Sequence, residues 1–203
     1  MIGKSIYGEV GAPAKLIPYP QPGIPDADDL PERVLGGGDV WTLSMPLMKE
    51  IQGSWMGAVA SLKSAVESSC WQFGGGYGDA ADATVYTSAI TYLDHVVDYI
   101  LAYPVVNLFR AVFIWPIWVS SDFIQLLAQH DDLALAIYSH WLVLTMALED
   151  LWWLEGFGSG QIERLSGRAA RSEGSGFDEL WGWPVEMLRA RCVARKDQGR
   201  IDR

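Results

Sequence analysis

The sequence predicts an all-α fold: one helical-bundle domain of about five to seven helices behind an irregular Pro/Gly-rich N-terminal segment. Three observations predict it. Apolar residues recur at three- and four-residue steps through most of 45–195, no segment alternates convincingly with a period of two, and glycines and prolines fall between the apolar stretches. Half of the 203 residues are hydrophobic and only 20% are charged, which suffices for one sizeable core.

Residues 11–38 hold six of the ten prolines and end in the glycines 36–38, so residues 1–40 are expected to be extended or disordered. A first helix fits 45–69, with Leu47, Ile51, Trp55, Val59, Leu62 and Val66 on one face. "GGGYGD" at 74–79 ends it; without a following Lys-Ser/Thr or a preceding strand, this is a connection rather than a phosphate loop. A second helix fits 82–103, with Ala89, Leu93, Val96, Val97 and Ile100 facing inward and Pro104 at its end. Residues 105–119 are almost continuously apolar, interrupted by Asn107, Arg110 and Pro116, and read as a buried helix. "SSDF" at 120–123 opens the next helix with an N-cap serine and Asp122 in the first turn, running to about Gln129. After "HDD" the longest helix is expected at about 132–155, then a short one at 160–170 and a last one at 184–195, leaving 196–203 as a polar tail.

The uncharged part of the 132–155 helix is too short for a bilayer, which requires about 20 residues, and its flanks, Asp131, Asp132, Glu149 and Asp150, are all acidic. No transmembrane segment is expected. The N-terminus lacks the apolar run of a secretory signal, so an intracellular setting, nucleus or cytoplasm, is the expectation.

Net charge is −10, and residues 1–183 carry −13 of charge, against a mildly basic end. An acidic body disfavours phosphate neutralisation, so no direct nucleic-acid binding is expected, and "RARCVARKDQGRIDR" reads as a solvated, frayed terminus. Two cysteines, Cys70 and Cys192, form neither a disulfide framework nor a zinc pattern, and no metal or cofactor is expected.

Catalytic signals are sparse. Asp94, His95 and Asp98 share a helical turn, which reads as a solvated polar face. His130 reads as a capping or solvated residue, and His140 as a core histidine. Glu149, Asp150 and Glu155 lie near a double tryptophan, where burial would raise a carboxyl pKa. On a helix, however, Glu149 and Asp150 diverge by about 100° and are not expected to face one site. If the chain is an enzyme, His140, Asp150 and Glu155 are the proton-handling candidates.

Ten tryptophans are unusual, and point to a dense aromatic core or a ring-lined cavity. One ordered pattern is more specific. Trp115-Pro116, Phe123, Ala134-Leu135, His140-Trp141, Trp152-Trp153 and Trp181 with Trp183-Pro184 follow one another in an order and spacing that resembles the C-terminal regulatory region of fungal binuclear-zinc-cluster transcription factors of the sterol uptake control type. The resemblance covers 108–188. It implies an α-helical regulatory domain with a hydrophobic small molecule, of sterol, terpenoid or polyketide type, held in an apolar cavity. The implied lining is Trp115, Trp118, Phe123, Trp141, Leu144, Trp152, Trp153, Phe157, Trp181 and Trp183. The family's six-cysteine DNA-binding module and basic linker do not occur in these 203 residues, so the chain is expected to be a piece of a larger regulator or a stand-alone descendant.

The leading expectation is therefore a ligand-sensing or interaction domain that regulates transcription or a secondary-metabolite pathway. Its partners would be a hydrophobic small molecule and, beyond that, a second copy or another protein. The alternative is a small cofactor-free cyclase or pericyclase that holds a polyene in a reactive shape. A third is a remnant that folds without a ligand.

Overall fold

A computed structural model describes residues 40–72, 77–102, 108–169 and 178–201, all within the compact unit Gly38–Arg203. The expectation of an extended segment over 1–40, the glycines 74–76 and Pro104 fall outside the described residues, apart from Val40. Among the described residues there are seven α-helices, one 3₁₀ turn and no strand, so the fold is all-α. The helices are α1 Val40–Gln72, α2 Tyr77–Ala102, α3 Leu108–Trp118, α4 Ser121–Ala128, α5 Asp132–Met146, α6 Phe157–Ala169 and α7 Gly182–Ile201; the 3₁₀ turn is Asp178–Trp181.

The helix α5 is the axis around which the others pack, touching every other α-helix and the 3₁₀ turn. Its sequence explains this: it is apolar on all sides, so it must be covered on all sides, and everything in it except Asp132 and Tyr138 is buried. Asp131 starts the helix as N-cap, its Oδ1 accepting the Ala134 N–H at 2.8 Å. The same carboxylate accepts the Tyr86 hydroxyl, and burial first, then the Asp131 charge, pushes that phenol well above its ordinary pKa. Tyr86 thus pins α2 to the head of α5.

The surrounding helices are amphipathic in the ordinary way. All six apolar positions read for α1 and all five for α2 are buried. Leu108, Ala111, Val112 and Trp115 turn α3 inward, and Pro184, Met187, Leu188 and Arg191 do the same for α7. Each fully covered Leu, Ile or Phe contributes about 1.5–3 kcal/mol over its exposed state. Between α3 and α4 the chain bends by 86°. Pro116 lies inside α3, which continues past it with the Val119 N–H on the Trp115 carbonyl, and Ser120 starts the new helix, accepting the Phe123 N–H at 3.2 Å. His130, at φ 61°, closes α4 in the left-handed region.

Several boundaries differ from the sequence reading. The helix α1 begins at Val40 and runs through Pro46, five residues before the expected start. At the other end, α7 continues through Ile201, so the expected polar tail from 196 is helical to that point. The largest correction concerns α5, which ends at Met146 instead of about 155. From Ala147 to Phe157 the chain runs in tight turns whose N–H groups, those of Ala147, Leu148, Glu149, Leu151, Leu154 and Phe157, bond three residues back, as in Leu148 to Thr145 at 3.0 Å and Leu154 to Leu151 at 2.8 Å. The Thr145 hydroxyl, donating to the Leu142 carbonyl at 2.7 Å, loosens the last α-turn. Gly156, at φ 70°, then reverses the chain into α6. An apolar run looks the same in an α-helix and in such tight turns.

Candidate functional site

Indole rings determine the geometry at the centre. Trp115 is 1% exposed, donates Nε1–H to the Ala89 carbonyl at 2.9 Å, meets Phe123 edge-on at 5.7 Å and stacks on Trp141 at the same separation. Trp141 in turn donates to the Val112 carbonyl at 2.8 Å. Rings covered by rings, with their N–H groups bonded to backbone, lock α2, α3 and α5 together. The ten residues expected to line one pocket accordingly divide. Trp115, Phe123, Trp141, Leu144 and Trp181 are buried in the core, whereas Trp118, Trp152, Trp153 and Phe157 are exposed and Trp183 is half-buried.

The aromatic chain does not stop at the core. From Trp141, edge-on contacts lead outward to Phe113 at 6.0 Å and Phe157 at 6.5 Å, and Tyr138 stacks on its other side at 5.5 Å. Phe113 continues to Phe109 at 4.8 Å and to Trp153 at 6.5 Å, and Trp153 meets Phe109 edge-on at 5.3 Å. Phe109, Trp153 and Phe157 all reach solvent. The result is a continuous aromatic face on α3, the turn after α5 and the start of α6, with Trp141 beneath it. Burial raises the Tyr138 phenol, so this ring stays neutral at pH 7.

The three proton-handling candidates are held apart. His140 is 1% exposed, stacked on Trp183 at 4.9 Å and edge-on to Trp55 at 6.4 Å. Its Nδ1 lies 2.8 Å from the Ala136 carbonyl, an acceptor only, so Nδ1 carries the proton. Burial lowers its pKa from 6.5 to about 4, with the bond to Ala136 opposing. Such an imidazole is neutral and enclosed, as expected of a core histidine. The Trp183 indole donates to Ser54 Oγ at 2.8 Å, and the Trp55 indole to Asp94 at 2.9 Å, so this cluster ties α7, α5, α1 and α2 together.

Asp150 belongs to a different cluster, which corrects the expectation that it and Glu149 diverge. Because the helix has ended, both carboxylates turn to the same guanidinium: Arg191 Nε lies 3.2 Å from Glu149 Oε2 and its Nη2 3.4 Å from Asp150 Oδ1, with Arg195 3.7 Å from Asp150. Glu149 also accepts the Ser159 N–H at 2.6 Å and hydroxyl at 3.1 Å, capping the first turn of α6. Asp150 Oδ2 is buried without a hydrogen-bond partner among the described residues, and Arg191 Nε meets Glu149 as an ion pair without hydrogen-bond alignment. Burial lowers the Arg191 pKa against the pull of Glu149. The basic end read as frayed thus supplies a buried structural cation. Glu155 is exposed.

Phe109, Phe113, Tyr138, Arg191 and Ser159 were not among the expected site residues. The i, i+4 spacing of Phe109 and Phe113 is visible in the sequence; the Arg191 pairing, 41 residues from Asp150, has no local signal. The Asp94–His95–Asp98 turn resolves into a partnered and an open part: Asp94 takes Trp55 and Lys63, the latter at 3.0 Å, while His95 and Asp98 are exposed. Among the described residues no group of three His, Cys, Asp or Glu side chains is placed to hold a metal ion. Comparison with known proteins gives no match, whether to a family model, a curated protein or a solved structure.

Proposed function

We propose that this chain is a binding domain that takes a hydrophobic small molecule, of sterol, terpenoid or polyketide type, onto its aromatic face and serves as a regulator of transcription or of a secondary-metabolite pathway without contacting DNA itself. The observation that carries the reading is the run of rings from buried Trp141 through Phe113 to exposed Phe109 and Trp153. A rigid, uncharged ring surface contacts a carbon-rich ligand at little entropic cost, each Å² of apolar contact contributing about 25 cal/mol. The likeness of 108–188 to sterol-responsive fungal regulators supports the regulatory role and a nuclear or cytoplasmic location. The acidic body agrees with the absence of direct DNA contact.

The ligand reading is tested by titrating the protein with dehydroergosterol, a sterol that accepts excitation from tryptophan. Saturable energy transfer is expected, weakened about tenfold in Trp153→Ala, a change that removes roughly 60 Å² of contact. Native mass spectrometry on protein purified from its host should show a retained lipophilic species. Absence of both would sink the ligand reading in favour of a protein-interaction role. The cyclase or pericyclase alternative would use the same face by shape alone, since His140, Asp150 and Glu155 do not share a site as catalytic groups must. Turnover of a polyene by the purified protein would favour it.

A further inference from the structure

The helix α7 lies over α1, α5 and α6, and its hold on them is uneven. Among its described side chains Pro184, Met187 and Leu188 are the buried apolar ones, with Trp183 half-buried. Two polar attachments supplement them. Trp183 stacks on the His140 ring at 4.9 Å and donates to Ser54 Oγ at 2.8 Å. Two turns further on, Arg191 enters between Glu149 and Asp150. That second attachment is incomplete: Asp150 Oδ2 is buried without a hydrogen-bond partner among the described residues, and Arg191 Nε faces Glu149 without hydrogen-bond alignment. Buried charges that are only partly satisfied regain hydration when they separate, so α7 loses less on opening than its ion pairs suggest.

We propose that α7 is a releasable helix: in acid, the stretch from Trp183 to Arg195 lifts off α1 and α5 as one unit and uncovers His140, while α1 and α2 stay packed together. The geometry makes His140 the trigger. Trp183 of α7 covers one face of the imidazole, Trp55 of α1 stands edge-on to it, and Nδ1–H is committed to the Ala136 carbonyl. Charged groups on the neighbouring elements are engaged elsewhere or turned to solvent. Asp94 of α2 takes the Trp55 N–H and Lys63, and Glu149 and Asp150 take Arg191, with Arg195 half-exposed beside Asp150. Lys49 and Glu50 on α1, Glu179 on the 3₁₀ turn, and Glu186 and Arg189 on α7 are exposed. With α7 closed the ring therefore stays neutral, its pKa lowered by burial from 6.5 to about 4. With α7 lifted, water replaces Trp183 and the ordinary value returns. The open form then binds a proton that the closed form refuses, so α7 is held above about pH 6.5 and is released as pH falls toward 4. Between pH 7 and 5 the opening constant rises about twentyfold, of which about sevenfold falls between pH 6 and 5.

The test is native-state hydrogen exchange of the full chain, read by mass spectrometry at pH 7, 6 and 5, corrected for the intrinsic exchange rate at each pH and repeated in low urea. Amides of Val185 to Arg195 are expected to be less protected than those of Ile51 to Val66. They should also respond less steeply to urea, because lifting α7 exposes less surface than unfolding the whole bundle. Their protection should fall about twentyfold from pH 7 to 5 in wild type. In His140→Phe, which keeps a ring on Trp183 but takes up no proton, most of that fall should disappear. The wild-type profile decides by itself if the variant does not fold. Equal protection and equal urea dependence in α1 and α7, or α7 protection that ignores pH, overturns the proposal. So does an undiminished fall in His140→Phe, or a fall between pH 6 and 5 steeper than one proton gives, which would pass the trigger to Glu149 and Asp150.

Discussion

Lowering the pH from 7 to 5 should destabilise the fold by about 2 kcal/mol through one side chain, His140. In the folded protein the imidazole is enclosed by Trp183 and Trp55 and holds its pKa near 4, chiefly because burial disfavours the cation. In the unfolded chain it returns to 6.5. Between those values the unfolded state binds a proton that the folded state refuses, so stability is fully present above about 6.5 and is lost as pH falls toward 4. At 1.36 kcal/mol per pH unit, the part of that window lying above pH 5 amounts to about 2 kcal/mol. Carboxylates elsewhere also respond to acid, and His140→Phe removes their share by subtraction. The Phe ring preserves the stack on Trp183, and the Ala136 carbonyl keeps the Ser139 hydroxyl at 2.6 Å. Urea unfolding followed by circular dichroism at pH 7, 6 and 5 should show wild type losing about 2 kcal/mol more than His140→Phe. Parallel losses, or a titration of His140 near 6.5 by NMR, would refute the enclosed, neutral imidazole.

Two further substitutions probe the region where α5 turns back into α6. At Gly158 a Cβ would collide with the Thr145 hydroxyl oxygen and sit 2.7 Å from the Leu142 carbonyl, which cannot rotate away. Gly158→Ala should therefore cost about 2–3 kcal/mol and lower the thermal midpoint by roughly 4–10 °C in calorimetry. Arg191→Met strips the cation from two carboxylates, one fully buried, and should cost about 3–5 kcal/mol in urea unfolding. Adding Glu149→Gln should recover part of that loss; a double variant as unstable as the single one would mean that packing, not charge, dominates at Arg191.

The apolar faces of α1 and α2 were readable position by position, because an amphipathic helix on the surface of a bundle records its inward side in the 3.6-residue period. The Ser120 cap was readable for the same local reason. What failed was α5, where every side is covered, so the period vanishes and the end at Met146 leaves no trace. That one boundary changed the chemistry around it. Extended to 155, the helix kept Glu149 and Asp150 apart; ended at Met146, the turns bring both to Arg191. Among the site residues, Trp152, Trp153 and Phe157 could be named from sequence but their exposure could not, since facing in or out depends on the turn register. Ring contacts such as Phe109 with Trp153 join segments over 40 residues apart and have no local signature.

The exposure of Trp152 follows from a chain of constraints that begins elsewhere. Gly158 has to lie against Leu142 and Thr145, so α6 must start directly beside the end of α5. Its first turn needs an acceptor, and Glu149 supplies one to Ser159. A carboxylate drawn that far inward requires a cation, which Arg191 provides. With Leu148 and Glu149 facing inward and Leu154 buried at the far side of the turn, positions 152 and 153 are left on the outside. These constraints determine the direction of the side chains but not their identity. Ser, Lys or Glu would fit position 152 as well and would avoid exposing an indole to water. The fold therefore accounts for where Trp152 points, and leaves the identity of the residue there unconstrained by packing.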